Sequence, residues 1–354
     1  MNAGIVGIDI GFASLRAVEL SDGHSATPTL VRFCEEPLPR GAVSRGEVLE
    51  PNTVAAALKR LWSTGGFKSH QVVLGMGNHR VIARDLTVPK MSLKRIRESL
   101  PFQVQELISV PVAEALLDFY PIAEIAGEGD AGPQVTGLLV AAVKEAVLGN
   151  VMAVQVAGLT PVEVDLIPFA LSRAIHQGAA TTEVLVQIDV GAGTTSVVVT
   201  AAGVPQFVRL IPAGGDDVTQ ALATRLEIDL DQAEQVKHRV GLAAGHAVGA
   251  SPADAAAAAI IKEVTTDLLT SLRNTVTYFG NTRPALPVAR IVLTGGGARL
   301  GGFSNALGGL TRLAVAAPHP SGGVLLGRDV DHEALTASAG SFLVALGLAL
   351  WSAE

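Results

Sequence analysis

The feature that most constrains this chain is a strand–turn–strand pattern that occurs twice, each time with an aspartate just before a glycine-containing turn. It reads GIDIGFAS around Asp9 and QIDVGAGTT around Asp189. The two aspartates are 180 positions apart in a chain of 354 residues. This spacing indicates a coarse internal duplication rather than a short-period repeat. The pattern therefore predicts two α/β halves, each with a strand that ends in a glycine turn.

Length and charge narrow the class of protein. A chain of 354 residues predicts two domains, because a single core seldom grows that large. Lys and Arg number 26 against 33 Asp and Glu, and this acidic balance argues against nucleic acid as the main partner. The only cysteine, Cys34, fits a reducing compartment. The late apolar run at 340–351 is shorter than the ~20 residues of a bilayer span, and no signal peptide is visible. We therefore expect a soluble, cytoplasmic protein.

Each aspartate–glycine turn has the parts of a phosphate cradle. Glycine allows close backbone approach, successive N–H groups bind anions, and an aspartate at the strand end can hold Mg²⁺. The first turn supplies Asp9, Gly11 and Ser14. The second is more complete and supplies Asp189, Gly191, Gly193, Thr194 and Thr195. Either turn alone is also compatible with a plain β-hairpin.

Three further patterns follow the second turn. Gly214 and Gly215 precede a helix, Glu234 and Lys237 are spaced i,i+3 on another, and the glycines 295–297 follow the apolar strand RIVLT. The Glu/Lys pair alone is compatible with a surface ion pair. The triple glycine alone is compatible with a tight strand-to-helix turn or a Rossmann turn, although G-x-G-x-x-G fits it poorly.

In this order the motifs resemble the actin/Hsp70/sugar-kinase superfamily, with its two phosphate motifs and its adenosine motif. The run IPAGGDDVTQALATRLEIDLDQAEQVKHRVG is similar to the bacterial branch that contains FtsA and PilM. The run LPFQVQELISVPVAEALLDFY and the ending SFLVALGLALW resemble the PilM family. Because an FtsA would add a long tail with an amphipathic membrane helix, the resemblance favours PilM.

The resemblance implies an α/β, actin-like (ribonuclease H-like) fold of two domains with a nucleotide cleft and an inserted, 1C-type small α/β subdomain. The connecting helix is read from Asp165 to His176. The expected divisions are 1–86 for the first part of domain I, 87–160 for the inserted subdomain, 161–182 for the return to domain I and the connecting helix, 183–335 for domain II with its helical part at about 216–260, and 336–354 for a C-terminal helix packing back near domain I.

The resemblance also implies ATP and Mg²⁺ as cofactors, with Asp9 and Asp189 at the metal and with Glu234 and Lys237 on the ribose and adenine side. The full set of expected nucleotide-binding residues is Asp9, Gly11, Ser14, Arg16, Asp189, Gly191, Gly193, Thr194, Thr195, Gly214, Gly215, Glu234, Lys237, Gly295, Gly296, Gly297 and Arg299.

Two positions depart from the family pattern. Arg16 stands where PilM proteins usually carry lysine, which keeps the charge and changes the geometry. Ile167 precedes Pro168 where hydrolytic members such as Hsp70 have a glutamate that helps position water. An isoleucine cannot accept a proton or orient water. We therefore assign no catalytic residue and expect at most a weak ATPase.

The function implied is a nucleotide-dependent scaffold of type IV pilus assembly. It would dock the cytoplasmic N-terminal peptide of a PilN-like membrane protein, with pilus assembly ATPases as further candidate partners and no nucleic acid. The protein would be cytoplasmic, recruited to the inner face of the membrane through partners only. The alternatives are a filament-forming ATPase like FtsA or MreB, which would sediment with ATP alone, and a sugar- or acetate-kinase-like enzyme, which would phosphorylate a small metabolite.

Overall fold

The computed structural model describes residues 4–21, 27–127, 132–178, 181–242, 251–338 and 340–351. Within these ranges the strands form two large sheets, a three-stranded sheet and a two-stranded hairpin. Residues 243–250, part of the expected helical region of domain II, lie outside the described residues, as do the first and last three residues of the chain.

The described chain contains both strands and helices. The strands are β1 Val6–Ile10, β2 Ser14–Ser21, β3 Thr29–Pro37, β4 Val43–Ser44, β5 Glu47–Val48, β6 Gln71–Met76, β7 Val81–Pro89, β8 Ala115–Ile125, β9 Gln134–Val143, β10 Thr160–Leu166, β11 Val184–Val190, β12 Thr195–Ala201, β13 Val204–Ile211, β14 Arg290–Thr294, β15 Ala314–Ala316 and β16 Leu325–Leu326. The α-helices are α1 Pro51–Gly65, α2 Leu93–Gln103, α3 Lys144–Val156, α4 Ile167–His176, α5 Gly215–Leu226, α6 Leu230–Val240, α7 Pro252–Thr282, α8 Phe303–Thr311, α9 His332–Ala337 and α10 Leu343–Ala349.

The two large sheets share a five-stranded topology, to which the first sheet adds β16 beside β3. The first has the order β10-β6-β1-β2-β3-β16 and the second β13-β12-β11-β14-β15. In each, an antiparallel meander, β1-β2-β3 or β11-β12-β13, is extended from its first strand by two parallel strands, β6 and β10 or β14 and β15. The internal duplication predicted from the paired aspartates is therefore confirmed at the level of whole sheets.

Helices cover both faces of the first sheet. On one face Ile8 shares a buried cluster with Leu58 of α1. On the other face Val18 shares a buried cluster with Leu171 of α4 and Leu346 of α10. Helix α4 also contacts β12 and β13 of the second sheet, so it packs against both halves.

The small sheet, in the order β7-β9-β8, has a core of its own. Ile96 and Leu100 of α2 pack with Phe119 and Leu139 in one buried cluster. This sheet begins at Val81, whereas α3 packs on α1 of the first domain. We therefore propose 81–143 as the inserted subdomain, in place of the expected 87–160.

The connecting helix begins later than predicted. Residues 160–166 form β10, and α4 starts at Ile167 rather than Asp165. Pro168 lies in the first turn of α4, where its fixed φ angle suits a helix start and its missing N–H is not needed. Strand β10 was missed because Pro161 and two carboxylates weaken its pattern, which an edge strand tolerates.

Helix α10 lies within the apolar run at 340–351, and all seven of its residues are buried. It packs on β1 and on α4. In the described part of the chain, no helix has the combined length and apolar composition that crossing a bilayer requires.

Candidate nucleotide site

The two glycine turns have matching backbone geometry. In the first, the Gly11 N–H donates to the carbonyl oxygen of Ser14 at 3.0 Å. In the second, the Gly191 N–H donates to the carbonyl oxygen of Thr194 at 2.9 Å. A Cβ placed on either glycine would lie 2.8 Å from the carbonyl oxygen that its own N–H contacts. Glycine is therefore required at both positions by the close approach of the backbone.

Asp9 and Asp189 occupy equivalent places, one residue before the ends of β1 and β11. The pKa of Asp189 is raised to about 7, chiefly by burial and also by the charge of Asp9, while the charge of Arg16 opposes the rise. The pKa of Asp9 is also raised, chiefly by burial, although Arg16 lowers it. The two turns thus bring a pair of mutually repelling carboxylates together between the sheets, an arrangement that a bound cation would stabilise.

Arg16 lies beside the first aspartate, opposite it in the β1–β2 register. Its Nη1 is 3.5 Å from Asp9 Oδ2, and its Nη2 is 2.9 Å from Glu35 Oε1. The Ser14 hydroxyl donates to the same Glu35 oxygen at 2.5 Å. The Nε of Arg16 is buried without a hydrogen-bond partner among the described residues. Arg16 is thus oriented by two carboxylates and retains one unused donor.

Backbone contacts hold the second turn against the glycines that follow it. The N–H groups of Gly215 and Asp216 donate to the carbonyl oxygens of Gly191 and Ala192 at 2.9 and 2.8 Å. A Cβ on Gly214 would overlap the carbonyl oxygen of Ala192. The second turn and the start of α5 therefore form one rigid piece of backbone.

The triple glycine completes this cradle. Gly295 has φ +94°, and a Cβ there would overlap the carbonyl oxygen of Val190. A Cβ on Gly215 would lie 3.3 Å from the Gly297 α-carbon, whereas Gly296 faces open space. An adjoining cavity of about 220 Å³ is lined by Gly214, Gly215 and Gly297 together with apolar residues of α5, α7 and α8 and acidic residues of α5 and α7.

Lys237 is buried and Glu234 beside it is half-buried, so the pair is more than a surface ion pair. Lys237 Nζ donates to Glu234 Oε2 at 2.7 Å, to the Thr219 hydroxyl at 2.9 Å and to the Gly215 carbonyl oxygen at 3.2 Å, and Lys237 is 8% exposed. Burial raises the pKa of Glu234, but hydrogen bonds from Lys237 and Thr219 and the nearby positive charges outweigh it and leave a net lowering. Glu234 is thus ionised, and the hydrogen bonds of Lys237 anchor it at the glycine cradle.

Two of the expected residues have other partners. The buried Thr195 hydroxyl donates to the Ala213 carbonyl oxygen at 2.8 Å, which ties β12 to the approach to α5. The Arg299 guanidinium donates to the Ser338 carbonyl oxygen and, at 2.8 Å, to the Ser341 hydroxyl. Thr219 was missed by sequence reasoning because a threonine one helical turn after Gly215 carries no recognisable motif.

Two sheets of one topology, a helix that contacts both, and an aspartate turn from each sheet at their junction define a two-domain protein of the actin-like fold. The chain belongs to the PilM family, since the model of the family described as type IV pilus assembly protein PilM matches residues 7–353. The predictions of fold class and family are thereby confirmed.

Individual relatives agree with this assignment. The solved PilM-PilN type IV pilus biogenesis complex is similar over 99% of this chain and 98% of that chain, with 31% identity and a TM-score of 0.85. Cell division protein FtsA of Bacillus subtilis (strain 168) is 21% identical over 258 residues, which span 67% of this chain and only 58% of FtsA. MreB5 of Spiroplasma citri, solved bound to ADP, shares the fold at 13% identity and a TM-score of 0.53, over 98% of this chain and 95% of its own.

Proposed function

We propose that this chain binds ATP with Mg²⁺ between its two large sheets and acts as a nucleotide-dependent scaffold in type IV pilus assembly. The observation that carries the proposal is the convergence of both aspartate turns, the glycine cradle and the Lys237 network at the junction of the sheets. The family supports the pilus role, and the ADP-bound MreB5 relative supports a nucleotide in this fold.

The residues present fit the cation. In the described part of the chain, no group of three or more His, Cys, Asp or Glu side chains is arranged to hold a metal. The two carboxylates of Asp9 and Asp189 are enough for Mg²⁺, because this ion takes one or two carboxylates and completes its shell with water and phosphate oxygens. Bound Mg²⁺ would offset part of the negative charge of the carboxylates and of the adjoining phosphates.

The residues present also fit the nucleotide. In our assignment the phosphates lie against Gly11, Ser14, Gly191, Gly193 and Thr194, where the missing glycine side chains let a phosphate approach the backbone of both turns. Arg16 adds a positive charge and an unused Nε donor. The nucleoside lies on Gly214, Gly215 and Gly295–Gly297, with Glu234 and Lys237 beside it. Thr195 supports the cradle, and Arg299 is left out because Ser338 and Ser341 occupy it.

For the partner, we propose the cytoplasmic N-terminal peptide of a PilN-like membrane protein, which would bring this chain to the inner face of the membrane. The similar PilM-PilN complex supports the choice. A bound nucleotide can shift the relative orientation of the domains by binding one arrangement better than another. The small subdomain would follow, because Arg283 Nη2 after α7 lies 2.6 Å from Asp85 Oδ1 of β7 and because β13 lies against β7.

Nucleotide should change how strongly the chain retains such a peptide. We expect an immobilised PilN-like tail to retain different amounts of the full chain with Mg²⁺ and ATP than without, because the tail contacts a surface whose arrangement depends on nucleotide. The measurement is a pull-down with a scrambled tail as control. Equal amounts of retained chain in both conditions would contradict the proposal. The absence of any nucleotide binding by calorimetry would contradict it as well.

Hydrolysis should be slow. Ile167 lies at the start of α4 with its side chain against Gly75 and Gly77, since a Cβ on either glycine would lie 3.0 Å or less from it. This apolar side chain cannot act as a base. We expect turnover well below about 1 s⁻¹, at the low end of enzyme rates, in a phosphate-release assay with saturating Mg²⁺ and ATP. Turnover of several per second would disprove this reading of Ile167.

A further inference from the structure

A hairpin of the first domain touches the second phosphate turn, and no motif assigns it a role. It is formed by β4 and β5, with Arg45 and Gly46 at its tip. A Cβ on Gly193 would lie 3.4 Å from the α-carbon of Arg45 and 3.6 Å from its Cγ. The hairpin tip therefore lies directly on a glycine that we assign to the phosphates, although it belongs to the opposite domain.

The tip is braced so that it cannot move freely away. Arg45 has φ +47° and Gly46 has φ +81°, the left-handed pair that a tight two-residue hairpin turn requires. A Cβ on Gly46 would lie 3.1 Å from the Cβ of Asn78, which is fully buried just beyond the end of β6. The tip is thus held between the first sheet and the second phosphate turn. The left-handed backbone of Arg45, which is not a glycine, is energetically costly, and such strain is concentrated at functional sites.

The positive charges near the cleft differ in their pairing. Arg16 pairs with Asp9 and Glu35, and Lys237 pairs with Glu234. Arg40, five residues before Arg45, reaches across to Asp216 at the start of α5 with a distance of 3.5 Å. Arg45 is exposed, and it has no ion-pair partner within the ranges that the structure describes. It is therefore a cation at the cleft whose charge is available to a ligand.

We propose that Arg45 is a sensor of the terminal phosphate, which binds the triphosphate in preference to the diphosphate and couples it to contact between the domains. The inference rests on the proposed nucleotide site and names its regulation. An arginine guanidinium suits phosphate oxygens through paired N–H groups. Because Arg45 belongs to the first domain and Gly193 to the second, a phosphate bound to both holds the domains together. Loss of that phosphate removes this link between the domains and leaves the hairpin amides less protected.

The test compares two nucleotides on one substitution. Arg45→Gln keeps a polar side chain and removes its charge. We expect the affinity for Mg²⁺·AMPPNP, measured by calorimetry on the full chain, to fall about tenfold, the effect of losing one charge-assisted hydrogen bond to phosphate. The affinity for Mg²⁺·ADP should change by less than about twofold, and Arg45→Lys should retain part of the preference. Arg95→Gln on the exposed face of α2 is the matched control, with no expected change for either nucleotide.

Hydrogen exchange gives a second readout. In the wild-type chain, AMPPNP should slow exchange of the hairpin amides at 43–48 more than ADP does, and Arg45→Gln should remove the difference. An unchanged preference for AMPPNP, or an equal loss for both nucleotides, overturns the sensor. If the wild-type chain binds neither nucleotide, the proposed function itself fails. If Arg45→Gln does not fold, Arg45→Lys decides the matter: an unaltered preference in that variant together with equal hairpin protection by both nucleotides refutes the inference.

Discussion

Replacing Asp189 with asparagine should weaken binding of Mg²⁺·ATP at least about a hundredfold and should also stabilise the nucleotide-free protein. The loss of affinity follows from removing a negatively charged oxygen donor from Mg²⁺. The gain in stability follows from the same carboxylate, because its pKa of about 7 shows that the folded chain resists its ionisation. An amide of the same shape removes that cost. One substitution thus moves binding and stability in opposite directions.

The stability effect has a definite pH dependence. Asp189 has a pKa near 3.8 when unperturbed and about 7 in the folded chain. Between these values the folded chain keeps a proton that the unfolded chain has released, so stability falls as the pH rises through this window. Asparagine does not titrate. The free energy of unfolding of Asp189→Asn should therefore exceed that of the wild type by at least about 1 kcal/mol more at pH 8 than at pH 5.

Calorimetric titration with Mg²⁺·ATP and urea unfolding of the apo protein at the two pH values measure both effects. Asp329→Asn is the matched control, because Asp329 is exposed and outside the site. Tight nucleotide binding by Asp189→Asn would remove this aspartate from the metal site. A stability difference that does not vary with pH would show that burial does not raise its pKa.

Much of the fold was predictable because its central strands carry strong local signals. Strands β1, β11 and β14 are apolar, rich in β-branched residues and followed at once by glycine turns. The duplicated aspartate turns predicted that the two halves are equivalent. Strand β10 was not predictable in the same way, since its pairing with β6 depends on the rest of the sheet rather than on its own sequence.

The site was predictable to the extent that backbone chemistry defines it. Where the backbone approaches a carbonyl oxygen closely, only glycine fits, and these glycines can be recognised in the sequence. The burial of Lys237 cannot be recognised in this way, because its partners Gly215 and Thr219 belong to a different helix. Arg45 was missed for a related reason: its position on Gly193 depends on how two domains meet, and no spacing along the chain encodes it.

Gly347→Ala should displace the C-terminal helix α10 from the first domain and lower the free energy of unfolding by at least about 3 kcal/mol. A Cβ on Gly347 would overlap the carbonyl oxygen of Ala170 in α4, and one on Gly7 would overlap the carbonyl oxygen of Ala345. These are backbone atoms that cannot rotate away. In addition, the Gly347 carbonyl oxygen accepts two hydrogen bonds from Arg173, at 2.9 and 3.1 Å. A shift of α10 would break these as well.

Gly280→Ala provides the opposite expectation within one experiment. Gly280 lies in α7, and a Cβ there would meet nothing within 4 Å, so alanine should stabilise the chain by about 0.5–1 kcal/mol through its better helix propensity. Urea unfolding of both variants separates the close packing of α10 from a general effect of replacing glycine. Because α10 packs on β1, which carries Asp9, Gly347→Ala should also weaken nucleotide binding. A Gly347→Ala protein as stable as the wild type would mean that α10 does not hold β1 and its Asp9 in place.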